Sequence, residues 1–90
     1  MRAALAEARG EQQAAGDGYA QAAERLQRLG VVPERAFALL GQGRALTALS
    51  QTSQATHALQ QARAIFDALQ AAPALDETDM LLKQVSSLGA

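Results

Sequence analysis

Cysteine is absent from this chain. That excludes disulfides, a thiol nucleophile and cysteine-ligated zinc, and it fits a reducing cytoplasm. Aromatic residues are almost as scarce: Tyr19, Phe37 and Phe66 are the only three, and β-branched residues are few, so the residue types that strands favour are missing. The net charge is only −1 with both signs interspersed, which lacks the clustered Lys and Arg of a nucleic-acid footprint. No apolar run reaches the 18 residues a membrane span requires. The opening Met1-Arg2-Ala3-Ala4-Leu5 soon meets Glu7, so it lacks the apolar core of a signal peptide.

What remains is dominated by alanine, leucine, glutamine, arginine and glutamate, all good helix formers. Ninety residues suit one domain, near the small end of what buries a useful core. The composition predicts an all-α domain.

The chain also repeats itself forty positions apart. Gly10, Ala14, Ala15, Tyr19, Ala22, Leu26, Leu29 and Pro33 answer Ser50, Gln54, Ala55, Leu59, Ala62, Phe66, Leu69 and Pro73. Most small residues face small ones, large apolar residues face large ones, and the prolines coincide. A fixed period of this length marks stacked helical units, none of which buries its apolar face alone.

Breaks fall at Gly10, at 30–33, at 50–53 and at 71–76. The pattern predicts a helix from Pro33 to Leu49, with Pro33 at the first helical position and a buried stripe of Ala36, Leu39, Gly43, Leu46 and Leu49. A second helix is expected from Ser53, as N-cap, to Gln70, buried along Ala55, Ala58, Leu59, Ala62, Ile65, Phe66 and Leu69. A third should begin at Asp76, with Asp79 completing an acidic variant of the capping box, and should match Leu39, Leu40, Gln42 and Leu46 with Leu81, Leu82, Gln84 and Leu88. The repeat favours one continuous, locally loosened helix over 11–29 despite Gly16 and Gly18, against two helices broken there. A truncated opening helix over residues 2 to 9 would make about five in all. The units are an incomplete first repeat (1–32), a complete one (33–73) and an opening or capping helix (74–90), as expected of a slice from a longer array.

The run Leu39, Gln42, Gly43, Leu46, Ser50, Gln54, Ala55, Leu59 and Ala62 resembles the tetratricopeptide repeat. Ser50 replaces the usual turn glycine, Gln42 replaces a usual leucine, and the period is forty rather than 34. The wider text, from Glu7-Ala8-Arg9-Gly10 through Gly30 to Arg44 and on to Glu77-Thr78-Asp79, is similar to the C-terminal repeat tails of large bacterial signalling ATPases and adenylate cyclases. None of the ATPase or cyclase motifs lies within these residues. The resemblance implies a right-handed α-solenoid of antiparallel hairpins, in a segment of a larger bacterial regulatory protein that binds a protein or peptide in a concave groove. Carried over, the groove positions are Phe37, Leu40, Arg44, Thr47 and Ala48, with Phe37 an apolar anchor and Arg44 a donor to a carboxylate or carbonyl. The helical wheel agrees, because these five lie off the buried stripe. The plain alternative is that Phe37 and Leu40 pack on the preceding hairpin.

Chemistry beyond binding finds little support. His57 falls opposite the buried stripe and reads as a solvated residue, since its helix offers no partner for a ligand or base. Gly41-Gln42-Gly43 follows no strand and precedes no Lys-Ser/Thr, so it reads as close helix packing rather than a phosphate loop. Asp76, Glu77 and Asp79 lack calcium-loop spacing. Ser50, Ser53, Ser86 and Ser87 lack a paired base. The polar faces are not basic enough for a membrane surface. No cofactor is expected, and the chain does not read as an enzyme. The rival reading is a self-association module, a dimer formed through Leu82, Val85 and Leu88 at an uncapped end.

Overall fold

Three short connections, spaced twenty residues apart, set the fold of residues 12–89, which the computed structural model describes. Gly30, Ser50 and Gln70 all sit in the left-handed region, with φ of 73°, 58° and 56°. At each, two backbone bonds close the preceding helix. Gly30 N–H donates to Gln27 O and Val31 N–H to Leu26 O; Ser50 and Gln51 donate to Thr47 O and Leu46 O; Gln70 and Ala71 donate to Asp67 O and Phe66 O. This is the Schellman pattern, with the large residue three places before the cap always Leu or Phe. The next residue then starts the following helix, as Val31, Gln51 and Ala71 carbonyls accept from Arg35, Ala55 and Leu75.

The helices between are α1 (Gln12–Leu29), α2 (Val32–Ala48), α3 (Thr52–Ala68) and α4 (Ala72–Gly89). Connections this short fold each helix back against the one before it, and α2 also touches α4. The described residues are thus all-helical. The radius of gyration is 12.1 Å, close to the roughly 12 Å expected of a globular domain of this size. The helix expected over residues 2 to 9 lies outside the described residues. Residues 12–29 form one unbroken helix across Gly16 and Gly18.

Two helix starts differ from the sequence expectation. Helix α3 begins at Thr52, and its N-cap is Gln51 with no side-chain hydrogen bond, so Ser53 lies inside the helix; it ends at Ala68 because Gln70 turns left-handed. Helix α4 begins at Ala72 rather than Asp76. Pro73 therefore occupies the first turn as Pro33 does in α2, where a missing N–H costs nothing. The register of α4 against α2 is forty residues, not forty-two. The acids at 76, 77 and 79 are in its second turn, where Glu77 and Asp79 pair with arginines of neighbouring helices.

The left-handed residues give a direct test. A side chain at φ near +57° costs roughly 1–2 kcal/mol that glycine avoids, partly offset by glycine's greater freedom in the unfolded chain. Ser50→Gly and Gln70→Gly should each stabilise by about 0.5–1 kcal/mol, raising the thermal midpoint by a few degrees. Gly30→Ala should lower it, although nothing lies within 4 Å of the added carbon.

The core runs through α2. Ala36, Leu39, Gly43 and Leu46 are buried, as the stripe predicts, and Leu49 is half-buried. Ala38, Gly41 and Ala45 are buried too, on the opposite side, where α1 lies. The two glycines take one large side chain each. A Cβ on Gly41 would stand 2.6 Å from the Tyr19 ring, and one on Gly43 2.5 Å from Leu59 Cγ. Tyr19 and Leu59 are forty residues apart, so one repeat position grips α2 from both sides. Close packing of the helix backbone, as expected from the sequence, explains this glycine pair. Phe66, Leu59 and Thr78 are the largest fully buried side chains. The hydroxyls of Thr47 and Thr78 are satisfied within their helices, donating to Gly43 O at 2.7 Å and Ala74 O at 2.8 Å.

Candidate partner-binding groove

An apolar trough of about 520 Å³ opens along α2 between α1 and α4. Helix α1 contributes Tyr19, Ala22 and Leu26 at spacings of three and four, which place them on one face. Helix α2 supplies Glu34, Phe37, Ala38, Leu40 and Arg44, and α4 closes the far rim with Glu77. From Glu34 to Arg44 the trough floor covers eleven residues, roughly 15 Å of helix.

Three of the five predicted groove residues come together here. Phe37 is 56% exposed and rests edge-on against Phe66, with ring centroids 5.0 Å apart. Its ring thus meets α3, and it shares the trough with Tyr19, Ala22 and Leu26 of α1. Leu40 is only 3% exposed and forms part of the floor. Arg44 stands on the rim, where Nη1 donates to Glu77 Oε2 at 3.2 Å. Both side chains are about half exposed, so the pair contributes at most about 1 kcal/mol. Thr47 and Ala48 do not line the trough. Thr47 is buried at 4%, because α2 is covered on the side that a single-stripe wheel leaves open; Ala48 is exposed.

Sequence reasoning did not select Tyr19, Ala22, Leu26 and Glu34 as groove residues. The repeat itself gave no signal for them. Ala22 and Leu26 match Ala62 and Phe66, yet Ala22 and Leu26 are half-exposed while Ala62 and Phe66 are buried.

The expected self-association residues divide. Val85 is 3% exposed and belongs to the core with α3, so it cannot contact another copy. Its assignment to an outer face assumed an uncapped end with no further helix to cover α4; it is enclosed in the core instead. Leu82 is half-buried and Leu88 exposed, and Met80 is the most exposed large apolar residue of α4. A second ion pair, Arg63 Nε to Asp79 Oδ1 at 2.7 Å, fastens α4 to α3.

His57 is exposed, with Nε2 2.6 Å from Gln61 Nε2. Gln61 also accepts from Arg35 Nη2 at 3.4 Å. Among the described residues no three His, Cys, Asp or Glu side chains gather as metal ligands. No helix among them is long and apolar enough to cross a membrane. No protein-family model, curated protein or solved structure matches the chain.

Proposed function

We propose that this chain is a tetratricopeptide-like segment of an α-solenoid, part of a larger bacterial cytoplasmic signalling protein, and that the trough on α2 holds a protein or peptide partner. Binding rather than catalysis is its work. The observation that carries this reading is Phe37. A largely exposed aromatic on an otherwise apolar floor is the kind of side chain that dominates a protein interface. Tyr19 and Leu26 on one wall, with Arg44 and Glu77 on the other, give the apolar centre and polar rim of such a surface.

The forty-residue repeat and the contact of α2 with α4 support the solenoid, since stacked hairpins bring alternate helices together. Self-association is the second reading. It is favoured by Met80, 71% exposed on α4, and by the near-zero net charge.

The test is a selection from a random peptide library displayed on phage, with the 90-residue chain as bait. Enriched peptides should lose binding to the Phe37→Asp variant by at least tenfold, an effect of about 1.4 kcal/mol. Selection that yields only Phe37-independent sequences, or none, sinks the groove reading. A mass that doubles with concentration and returns to one chain on Met80→Glu favours self-association instead.

A further inference from the structure

Set against α2 in the forty-residue register, α4 carries a different outer face. On α2 the stripe Ala36, Leu39, Gly43 and Leu46 is apolar and buried, and α3 closes on it. Gly43 is the tightest point, since a Cβ there would stand 2.5 Å from Leu59 Cγ. The same four positions on α4 are Asp76, Asp79, Lys83 and Ser86. All four are polar; Asp76, Lys83 and Ser86 are exposed and Asp79 is half-exposed. The change extends to α3. Ala23 and Leu39 belong to the apolar core, while their counterparts Arg63 and Asp79 form an ion pair of 2.7 Å. The apolar residues of α4 lie on its other sides. Leu81 and Val85, which answer Gly41 and Ala45, belong to the core, and exposed Met80 answers Leu40 of the trough.

We infer that α4 is the closing helix of the stack, and that its outer face admits no further hairpin in the way α2 admits α3. This rests on the stacked-repeat reading above and fixes where in the stack the segment belongs. A next hairpin in the same register would bring its counterpart of Leu59 against position 83. There α2 has a glycine and α4 a lysine, so the close approach that Gly43 permits is blocked by bulk before charge is considered. Stacking would also take Asp76 and Lys83 out of water. The α3 face that would cover them is built of Ala55, Ala58, Leu59 and Ala62, which offer nothing to pair with a charge, and an unpaired charge is not buried. A polar outer face of this kind is what keeps the end of a repeat stack in solution. The row formed by α2 and α4 therefore extends only from the α1 side. Copies of the repeat inserted ahead of α4 leave its face at the end, whereas a copy placed after it meets four polar groups.

The test adds a hairpin where none should stack. A copy of residues 50–89 is placed after Gly89 of the 90-residue chain, which continues the forty-residue register. Urea unfolding is followed by circular dichroism, at concentrations where sedimentation shows a single chain. The slope against denaturant scales with the surface that a cooperative unit exposes. With the original α4 unchanged, slope and midpoint should stay at the parent values. Asp76→Ala, Asp79→Leu, Lys83→Gly and Ser86→Leu in that helix give it the stripe of α2, and the slope should then rise by roughly half as the added hairpin joins the unit. The same extension with Lys83 retained and the other three changes made should return to the parent slope. If the fourfold variant does not fold, Asp76→Ala with Lys83→Gly serves in its place. A raised slope with α4 unchanged, or with Lys83 retained, overturns the inference and leaves the stacked-repeat reading in place. If the α2 stripe fails to recruit the hairpin, units do not add through this face, and both fall. The dependence of selected peptides on Phe37 tests the groove separately.

Discussion

Gly43→Ala should destabilise the protein by about 1–2 kcal/mol, against the direction that helix propensity sets. Alanine in a helix interior is better than glycine by about 1 kcal/mol. The added carbon, however, would stand 2.5 Å from both Cγ and Cδ2 of Leu59, which is fully buried and has nowhere to move. Overpacking of that kind costs about 1–3 kcal/mol and forces the backbones apart, so the steric loss wins. Gly41→Ala should behave the same way, because its neighbour is the rigid ring of Tyr19. A double-mutant cycle identifies the cause. Leu59→Ala alone should cost about 2–5 kcal/mol through the cavity it leaves, and the carbon added at 43 would partly refill that cavity. The double variant should therefore be more stable than the sum of the two losses predicts. Urea unfolding midpoints are the measurement; strict additivity would show that Gly43 and Leu59 do not press on one another.

Phe66→Ala and Phe37→Ala should differ sharply, although the two rings touch. Phe66 is 1% exposed, and removing a ring so enclosed costs about 3–5 kcal/mol. A domain this small has only about 5 kcal/mol or a little more to lose. The thermal midpoint should fall by roughly 15 °C or more. Phe37 leaves only a partly exposed ring and one edge-on contact, worth about 0.5–1.5 kcal/mol, so Phe37→Ala should retain a cooperative melt near the parent value. Comparable losses at both positions would mean that Phe37 belongs to the core, and the groove would then lose its anchor. Circular dichroism melts of the two variants decide between these outcomes.

The forty-residue repeat was legible because it is written in large and small apolar residues, Tyr19 with Leu59 and Leu26 with Phe66. The twenty-residue punctuation was harder to read. Glycine marks only the first of the three left-handed positions; Ser50 and Gln70 hold the same backbone without advertising it. The start of α4 was misplaced for a related reason. Asp76, Glu77 and Asp79 resemble a helix cap, but Glu77 and Asp79 serve Arg44 and Arg63 across the bundle, while Pro73 carries the real signal. Burial on both sides of α2 escaped a single-stripe wheel because Ala38, Gly41 and Ala45 are small, and smallness reads as weak hydrophobicity rather than as contact. Thr47 and Leu40 were assigned to solvent and proved to be enclosed. The groove was found only in part, through Phe37, Leu40 and Arg44. Its α1 wall depends on which of two equivalent faces is covered, a question settled by the packing of helices rather than by any one segment.

The even spacing of Gly30, Ser50 and Gln70 bears on how such a chain can change length. Each twenty-residue step reverses the chain direction. An insertion of twenty residues would point every downstream helix the opposite way and exchange its inner and outer faces. An insertion of forty restores direction, face and turn geometry together. Duplication and loss of sequence are thus tolerated in whole pairs of helices, and a gene encoding this pattern can lengthen or shorten its product by tandem copying without redesign of any junction.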